Sequence, residues 1–281
     1  MIVCRPERKR LELEIVCGSR SDSFALVKEF GGRTEKLPRN WLQRLAPGES
    51  KPIKIGKRLI IVRSVEEMQS CSVRSPQRSS HRGTRVHALK TAHRPHPNKP
   101  PLLGIFASAV FGTGEHATTA MSLRFLEQLT RCWKPGWSLV DFGTGSGILA
   151  LAVKCFGAGR VTGIDNDATA ISVAKSNARS NEIRAVSFQL ADVRKWKSAQ
   201  AADVITANLY SDLLVKILSK LSARGWLILS GILRSQKDEL IRALRRNHFD
   251  IIGVNRRGKW LAYLAGGPAA NFCGGHRPPL Q

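Results

Sequence analysis

At 281 residues, 42% of them hydrophobic, the chain carries enough apolar material for a medium domain with a smaller companion, which excludes wholesale disorder. A formal charge of +24 favours nucleic acid or ribonucleoprotein as surroundings but says nothing about chemistry. The six cysteines include no Cys-x-x-Cys pair, so no zinc site or disulfide framework is expected, and no run approaches the ~20 apolar residues that cross a bilayer.

In chain order, Met1 to Arg10 is polar and basic without the apolar stretch of a secretory signal, and a cytoplasmic location with no membrane contact is expected. Residues 11–17 alternate apolar and charged side chains, and 52–63 are rich in β-branched residues, so both read as strands. Phe24 to Phe30 reads as a further strand ended by Gly31 and Gly32, and Asn40 as the cap of a short helix carrying Trp41, Leu42 and Leu45. Residues 1–67 are expected to form a small β-containing module. From Met68 to Gly114 there is not one Asp or Glu, while Ser, Pro, Arg and His crowd the stretch from Ser70 to Pro101. With too few apolar groups to offset ordering entropy, 68–104 reads as a basic, disordered linker. The abrupt change of composition would also fit a segment translated out of its ancestral frame. Its histidines, His81, His87, His93 and His96, have no Cys or carboxylate partners at fixed spacing and read as a solvated linker rather than as metal ligands.

Strands and helices then alternate. Thr118 to Arg131 has helical apolar spacing, with Thr118 or Thr119 as N-cap. Strands are expected at 137–142, 160–165, 185–190, 202–207 and 225–230, helices at 146–156, 168–180, 211–222 and 235–247, and an antiparallel closing pair at 249–254 and 259–264. Such alternation predicts an α/β fold over 105–265: a doubly wound, mostly parallel seven-stranded Rossmann-like sheet with its ligand site beyond the carboxyl ends of the strands. The Gly- and Pro-rich tail, 266–281, is expected to be unstructured.

Asp141-Phe142-Gly143-Thr144-Gly145-Ser146-Gly147 ends a strand and opens a helix, where glycines let backbone approach a ligand. The spacing is G-x-G-x-G rather than the G-x-G-x-x-G that receives a pyrophosphate, which suits S-adenosylmethionine. Asp141 could orient that ligand's ammonium through a water or a backbone carbonyl; a plain strand-to-helix turn is the alternative. Asp165 stands 22 residues past Gly143 at a strand end, where a carboxylate can accept from vicinal ribose hydroxyls. A helix cap is its alternative role, one that Asn166 or Asp167 could fill instead. Asp192 could accept from the adenine amine or be a surface turn. Asn208, before Leu209 and Tyr210, could hold a nucleophilic nitrogen by its hydrogen and aim its lone pair, or cap a helix. Phe111 to Thr119 gathers two glycines, three hydroxyls, a carboxylate and an imidazole, more than a helix cap needs, and is expected to fold over the cofactor.

Phe111 to Thr119, Asp141 to Gly147, Gly163 to Asp167, Ala207-Asn208-Leu209 and Leu229 to Leu233 together resemble the PrmA family, whose members methylate large-subunit ribosomal protein L11. The similarity covers 110–265 and is most specific in the first and last of these segments. It implies that Thr119, Gly143, Asp165 and Asn208 contact S-adenosylmethionine, to which the reading of the loops adds Phe111, Asp141, Gly145 and Asp192 as expected cofactor residues, and that lysine ε-amines, with an α-amine as a further target, are methylated by direct displacement. An ammonium of pKa ~10.4 must first lose its proton, for which His116 is the candidate acceptor. The chain departs from the family pattern at Ala117, where Pro is common, and at Thr144, where a smaller residue is common. Residues 1–67 match loosely, chiefly in Lys51 to Leu59. The expected partners are a ribosomal protein and, through the basic surface, ribosomal RNA, with no metal. Two alternatives stay open: an RNA or other protein methyltransferase on this fold, and a non-catalytic ribosome- or RNA-binding protein with a degenerate cofactor fold. Asn208-Leu209-Tyr210 lacks the Asn-Pro-Pro-Tyr associated with glutamine or nucleobase amines, which counts against the former.

Overall fold

A computed structural model describes residues 2–5, 12–15, 24, 27–28, 51–72, 100–106, 114–196, 201–221, 225–267 and 270. The chain divides into two compact units, Met1–Glu49 and Ser50–Gln281.

In the first unit, β1 (Ile2–Arg5), which was not expected, pairs antiparallel with β2 (Glu12–Ile15), the strand that the alternation at 11–17 predicts. The strand expected at 24–30 is overturned: Phe24, Val27 and Lys28 are helical. That run contains Ala25, Leu26, Lys28 and Glu29, all good helix formers, and Ser21-Asp22-Ser23 precede it, so local propensity outweighs the short apolar run. The helix expected after Asn40 lies outside the described residues.

The second unit opens with a three-stranded sheet. β3 (Ile53–Ile55) pairs antiparallel with β4 (Leu59–Val62); α1 (Val65–Ser72) follows, and β5 (Leu102–Gly104) lies parallel to β4. This corrects two boundaries. Residues 52–63 belong to the same compact unit as the main sheet rather than to the N-terminal module, and 68–104 is not linker throughout, because its two ends are helix and strand. The reason is burial. Ile55, Leu59, Ile61, Leu103 and Ile105 join Leu126, Leu151 and Ile228 in one apolar core. Arg58, in the turn between β3 and β4, donates to Thr130 Oγ1 (3.0 Å) and to the Phe156 carbonyl (2.9 Å), with its guanidinium over the Phe156 ring. It thereby caps the carboxyl ends of two helices with a cation, where the helix dipole favours one. Residues 73–99 and the tail from 271 onward lie outside the described residues.

The main elements follow the predicted order: α2 (Ala117–Leu129), β6 (Ser138–Phe142), α3 (Ile148–Cys155), β7 (Arg160–Asp165), α4 (Ala168–Ser180), β8 (Val186–Leu190), β9 (Val204–Asn208), α5 (Ser211–Leu218), β10 (Trp226–Leu233), α6 (Lys237–Arg246), β11 (Asp250–Arg257) and β12 (Trp260–Gly266). The sheet order is β11-β12-β10-β9-β6-β7-β8; β10, β9, β6, β7 and β8 are mutually parallel, and β12 alone runs against them, pairing antiparallel with both β10 and β11, so that β11 runs in the common direction. The doubly wound, mostly parallel seven-stranded fold is therefore present. Side chains alternate between two cores: Leu139 and Ile228 pack with α2, α3 and α4 on one face, while Val140, Leu227 and Leu229 pack with α5 and α6 on the other. From β6 the chain winds one way to β8 and then returns to β9 on the opposite side, so the strand order reverses between β6 and β9. A ligand crevice belongs at the carboxyl ends of those two strands.

Candidate functional site

The site is built on the turn after β6. Gly143, Gly145 and Gly147 adopt left-handed φ of 71°, 52° and 80°, so α3 begins only at Ile148 rather than at 146. Gly143 N–H and Thr144 N–H both donate to the Ile164 carbonyl (2.8 and 3.0 Å), tying the loop to the end of β7.

Asp141 braces the loop from below. It is 1% exposed; its Oδ2 accepts from Thr144 Oγ1 (2.8 Å) and its Oδ1 from Thr206 Oγ1 (2.6 Å). Burial pushes its carboxyl up to about 6, against the opposing pull of the Thr206 and Thr144 hydroxyls and with a smaller push from Asp165. The carboxylate is turned inward, so anything Asp141 contributes to a ligand passes through the loop it holds.

Asp165, at the end of β7, is half-buried. Its Oδ2 accepts from Gly145 N–H (2.9 Å) and its Oδ1 from Asp167 N–H (3.0 Å). Each carboxylate oxygen has two lone pairs, so each can still accept from one of two vicinal hydroxyls. Asp167 caps α4, accepting from Thr169 N–H (2.8 Å), which frees Asp165 from that alternative role.

On the other side of the reversal point, Asn208 ends β9 and donates through Nδ2 to Thr119 Oγ1 (3.3 Å), so two expected site residues 89 positions apart meet. Thr119 lies buried in the first turn of α2. The N-cap of that helix is His116, not Thr118 or Thr119, and no side chain caps it. Beneath the pair, Ser122 Oγ and Ser230 Oγ are 2.7 Å apart. Leu209 is gripped from two sides. A Cβ on Gly143 would come within 2.4 Å of its side chain, and one on Gly231, at φ +88° in the bulge of β10, within 2.4 Å of its carbonyl oxygen. The turn after β9 is thereby fixed, and Tyr210 beside it is 81% exposed.

The outer residues differ. His116 Nδ1 lies 2.8 Å from Thr118 Oγ1, and its ring meets Trp260 edge-on at 5.1 Å. Partial burial, then Lys259 and Arg257, lower its pKa, which keeps it neutral at pH 7. Asp192 follows β8, but its carboxylate is taken by Arg194, which donates from its backbone N–H, from Nε and from a terminal nitrogen at 2.7–3.0 Å. The surface-turn alternative therefore describes its side chain, and the expected adenine contact is not what that carboxylate is set up to make. Phe111 lies outside the described residues, while Gly114 beyond it packs close to Ile148 and Ile53. Among the described residues no group of three His, Cys, Asp or Glu could hold a metal ion, and no helix is long and apolar enough to cross a membrane.

Four contributors were not expected: Thr206, the Leu209 clamp, Gly231 as its outer jaw, and Asn177, which donates to the Ser146 carbonyl (2.9 Å). Asn177 left a signal, since Ala170, Ala174, Asn177 and Asn181 share one helical stripe.

Comparison with known proteins identifies the fold and the family. A crystal structure of ribosomal protein L11 methylase from Lactobacillus delbrueckii subsp. bulgaricus shares the fold, with a TM-score of 0.59 and 24% identity over 77% of this chain and 98% of that one. Ribosomal protein L11 methyltransferases from Desulforapulum autotrophicum and Symbiobacterium thermophilum are 37% and 32% identical over 161 and 219 residues. Those matches cover 55% and 76% of this chain but 52% and 62% of the relatives, so the chain spans about half to three-fifths of their length. The family model for ribosomal protein L11 methyltransferase (PrmA) matches residues 72–266, more than half of the chain. On that match the chain belongs to the PrmA family.

Proposed function

We propose that this chain is an S-adenosylmethionine-dependent methyltransferase that methylates lysine ε-amines, and an α-amine as a further target, on ribosomal protein L11. The observation that carries the reading is the glycine loop at the strand-order reversal, bonded to Asp165 on one side and facing the Thr119–Asn208 pair on the other. When bound, S-adenosylmethionine supplies an electrophilic methyl group on a sulfonium. The residues present fit it: Asp165 keeps an acceptor site on each oxygen for ribose hydroxyls, and Leu190, paired with Asp165 in the sheet and left exposed, offers an apolar wall for an aromatic base.

Asn208 is the positioning group in this reading. With Nδ2 engaged by Thr119, and no described residue donating to Oδ1, it can accept a hydrogen of the incoming amine and direct the lone pair. His116, kept neutral one helical turn before Thr119, serves as acceptor for the proton that the ammonium must shed. Arg257 and Lys259 place positive charge beside it, supporting contact with ribosomal RNA and disfavouring the charged form of the substrate amine. A ribosomal substrate places the reaction in the cytoplasm.

The test is transfer of labelled methyl from S-adenosylmethionine to purified ribosomal protein L11, with the modified residue located by mass spectrometry. Label on lysine that is lost in Asn208→Ala supports the reading. Label on RNA but not on L11 replaces the substrate assignment. Absence of donor binding at ~1 mM would point to the non-catalytic alternative. Asp165→Ala should weaken donor binding by about tenfold or more in calorimetry, the scale of a lost hydrogen-bonding carboxylate.

A further inference from the structure

The glycine loop is also held from the side, by a helix that carries no recognised motif. Asn177 lies in the last turn of α4 and Asn181 follows at its carboxyl-terminal cap, one turn on, and both are buried. Asn181 accepts from Gly104 N–H (2.7 Å) and donates to the Gly104 carbonyl (2.6 Å), doing for β5 what a neighbouring strand would do. Asn177 accepts from Phe106 N–H (3.2 Å) and donates to the Ser146 carbonyl (2.9 Å). The spacing matches because four helical residues rise ~6 Å and two strand residues ~6.7 Å, so successive amides meet Gly104 and Phe106.

The two amides have different reach. Asn181 bonds β5 and its own helix, donating also to the Asn177 carbonyl (2.7 Å). Asn177 reaches the loop itself. The Ser146–Gly147 peptide has its N–H on the Thr144 carbonyl (2.8 Å) and its C=O on Asn177, so both polar ends of that one peptide are fixed. It lies between the left-handed Gly145 and Gly147, where a peptide is otherwise free to rotate. A buried amide that lost these partners would leave polar groups unsatisfied, which favours a single setting of the loop.

We propose that Asn177 is a positioning residue for the methyl donor: by fixing the Ser146–Gly147 peptide it presets the loop that receives S-adenosylmethionine, whereas Asn181 ties β5 to the helix end without reaching the loop. This rests on the proposed function, which makes that loop the donor site. The experiment uses the full chain and compares Asn177→Ala, the isosteric Asn177→Asp and Asn181→Ala. It measures S-adenosylmethionine affinity by calorimetry, kcat and KM for the donor, and the urea midpoint. The expected result is about a tenfold loss of donor affinity in either Asn177 variant, appearing in KM with kcat changed less than about threefold. Asn181→Ala should lower the urea midpoint about as far as Asn177→Ala does, while keeping donor affinity within about twofold of wild type. If Asn177→Ala does not fold, Asn177→Asp, which keeps the acceptor for Phe106, carries the same comparison. Unchanged affinity in the Asn177 variants, or equal losses at both asparagines, overturns the proposal while leaving the function standing. A wild-type chain that binds no donor overturns both.

Discussion

Two aspartates near carboxyl ends of parallel strands meet opposite fates. Asp141, at the floor of the glycine loop, is enclosed by two threonine hydroxyls and pushed up to about 6 by burial. Asp192, on the rim after β8, is held by Arg194 and pulled down to about 2. A carboxylate after a strand in this fold reads as a ligand contact in either place. The difference teaches that enclosure decides the role: the floor is a buried brace and the rim is a solvated ion pair, and in the proposed function the carboxylate that meets ligand hydroxyls is the half-buried Asp165 between those extremes.

The floor should be the least tolerant part of the molecule. Gly231→Ala would put a Cβ 2.4 Å from the Leu209 carbonyl oxygen at a φ of +88°. Strain and overpacking together should cost about 4 kcal/mol in urea unfolding. A cost below about 1 kcal/mol would show that the turn after β9 is not clamped.

Asp141 tests the enclosure through pH. Its proton is bound more tightly in the folded state than in the unfolded chain, where the ordinary value is 3.8, so its contribution to stability is complete below about 3.8 and is lost as the pH rises through about 6. Relative to Asp141→Asn, the wild type should therefore lose about 2 kcal/mol of unfolding free energy between pH 4 and pH 7. Parallel stability curves for the two proteins would place Asp141 in a wetter site than its hydroxyl partners indicate.

The rim should respond least and with the opposite sign. The contribution of Asp192 is present above 3.8 and is lost as the pH falls through about 2. In Arg194→Ala its titration, followed by NMR, should move upward toward the ordinary carboxylate value, with methyl transfer little changed. A large loss of transfer in that variant would instead give the Asp192–Arg194 pair a part in the site.

Much of the architecture was legible because it rests on local pattern. The 3.6-residue and two-residue periodicities from Ala117 to Gly266 placed every strand of the main sheet, with errors confined to ends. One such error was α3, where a left-handed Gly147 delays the helix, and another was β10, which continues to Leu233 past the Gly231 bulge. The same locality failed at Phe24 to Lys28, where a short apolar run does not distinguish a strand from a helix. It failed again at Leu102 to Gly104, where three residues beside a basic stretch carry too little periodicity to announce a strand.

The sequence by itself determined the fold class, the glycine loop and the acidic residue 22 positions after it, since these depend on residue type and spacing along the chain. Only the tertiary structure decided which polar groups face inward. The meeting of Thr119 with Asn208, the turning of Asp141 onto Thr206 and the grip of Asn177 on Ser146 join residues 89, 65 and 31 positions apart. Contacts of that separation arise when distant strands pair, as Asp141 and Thr206 do in β6 and β9, or when helices pack onto the sheet, and burial then sets the protonation and the partner of each group.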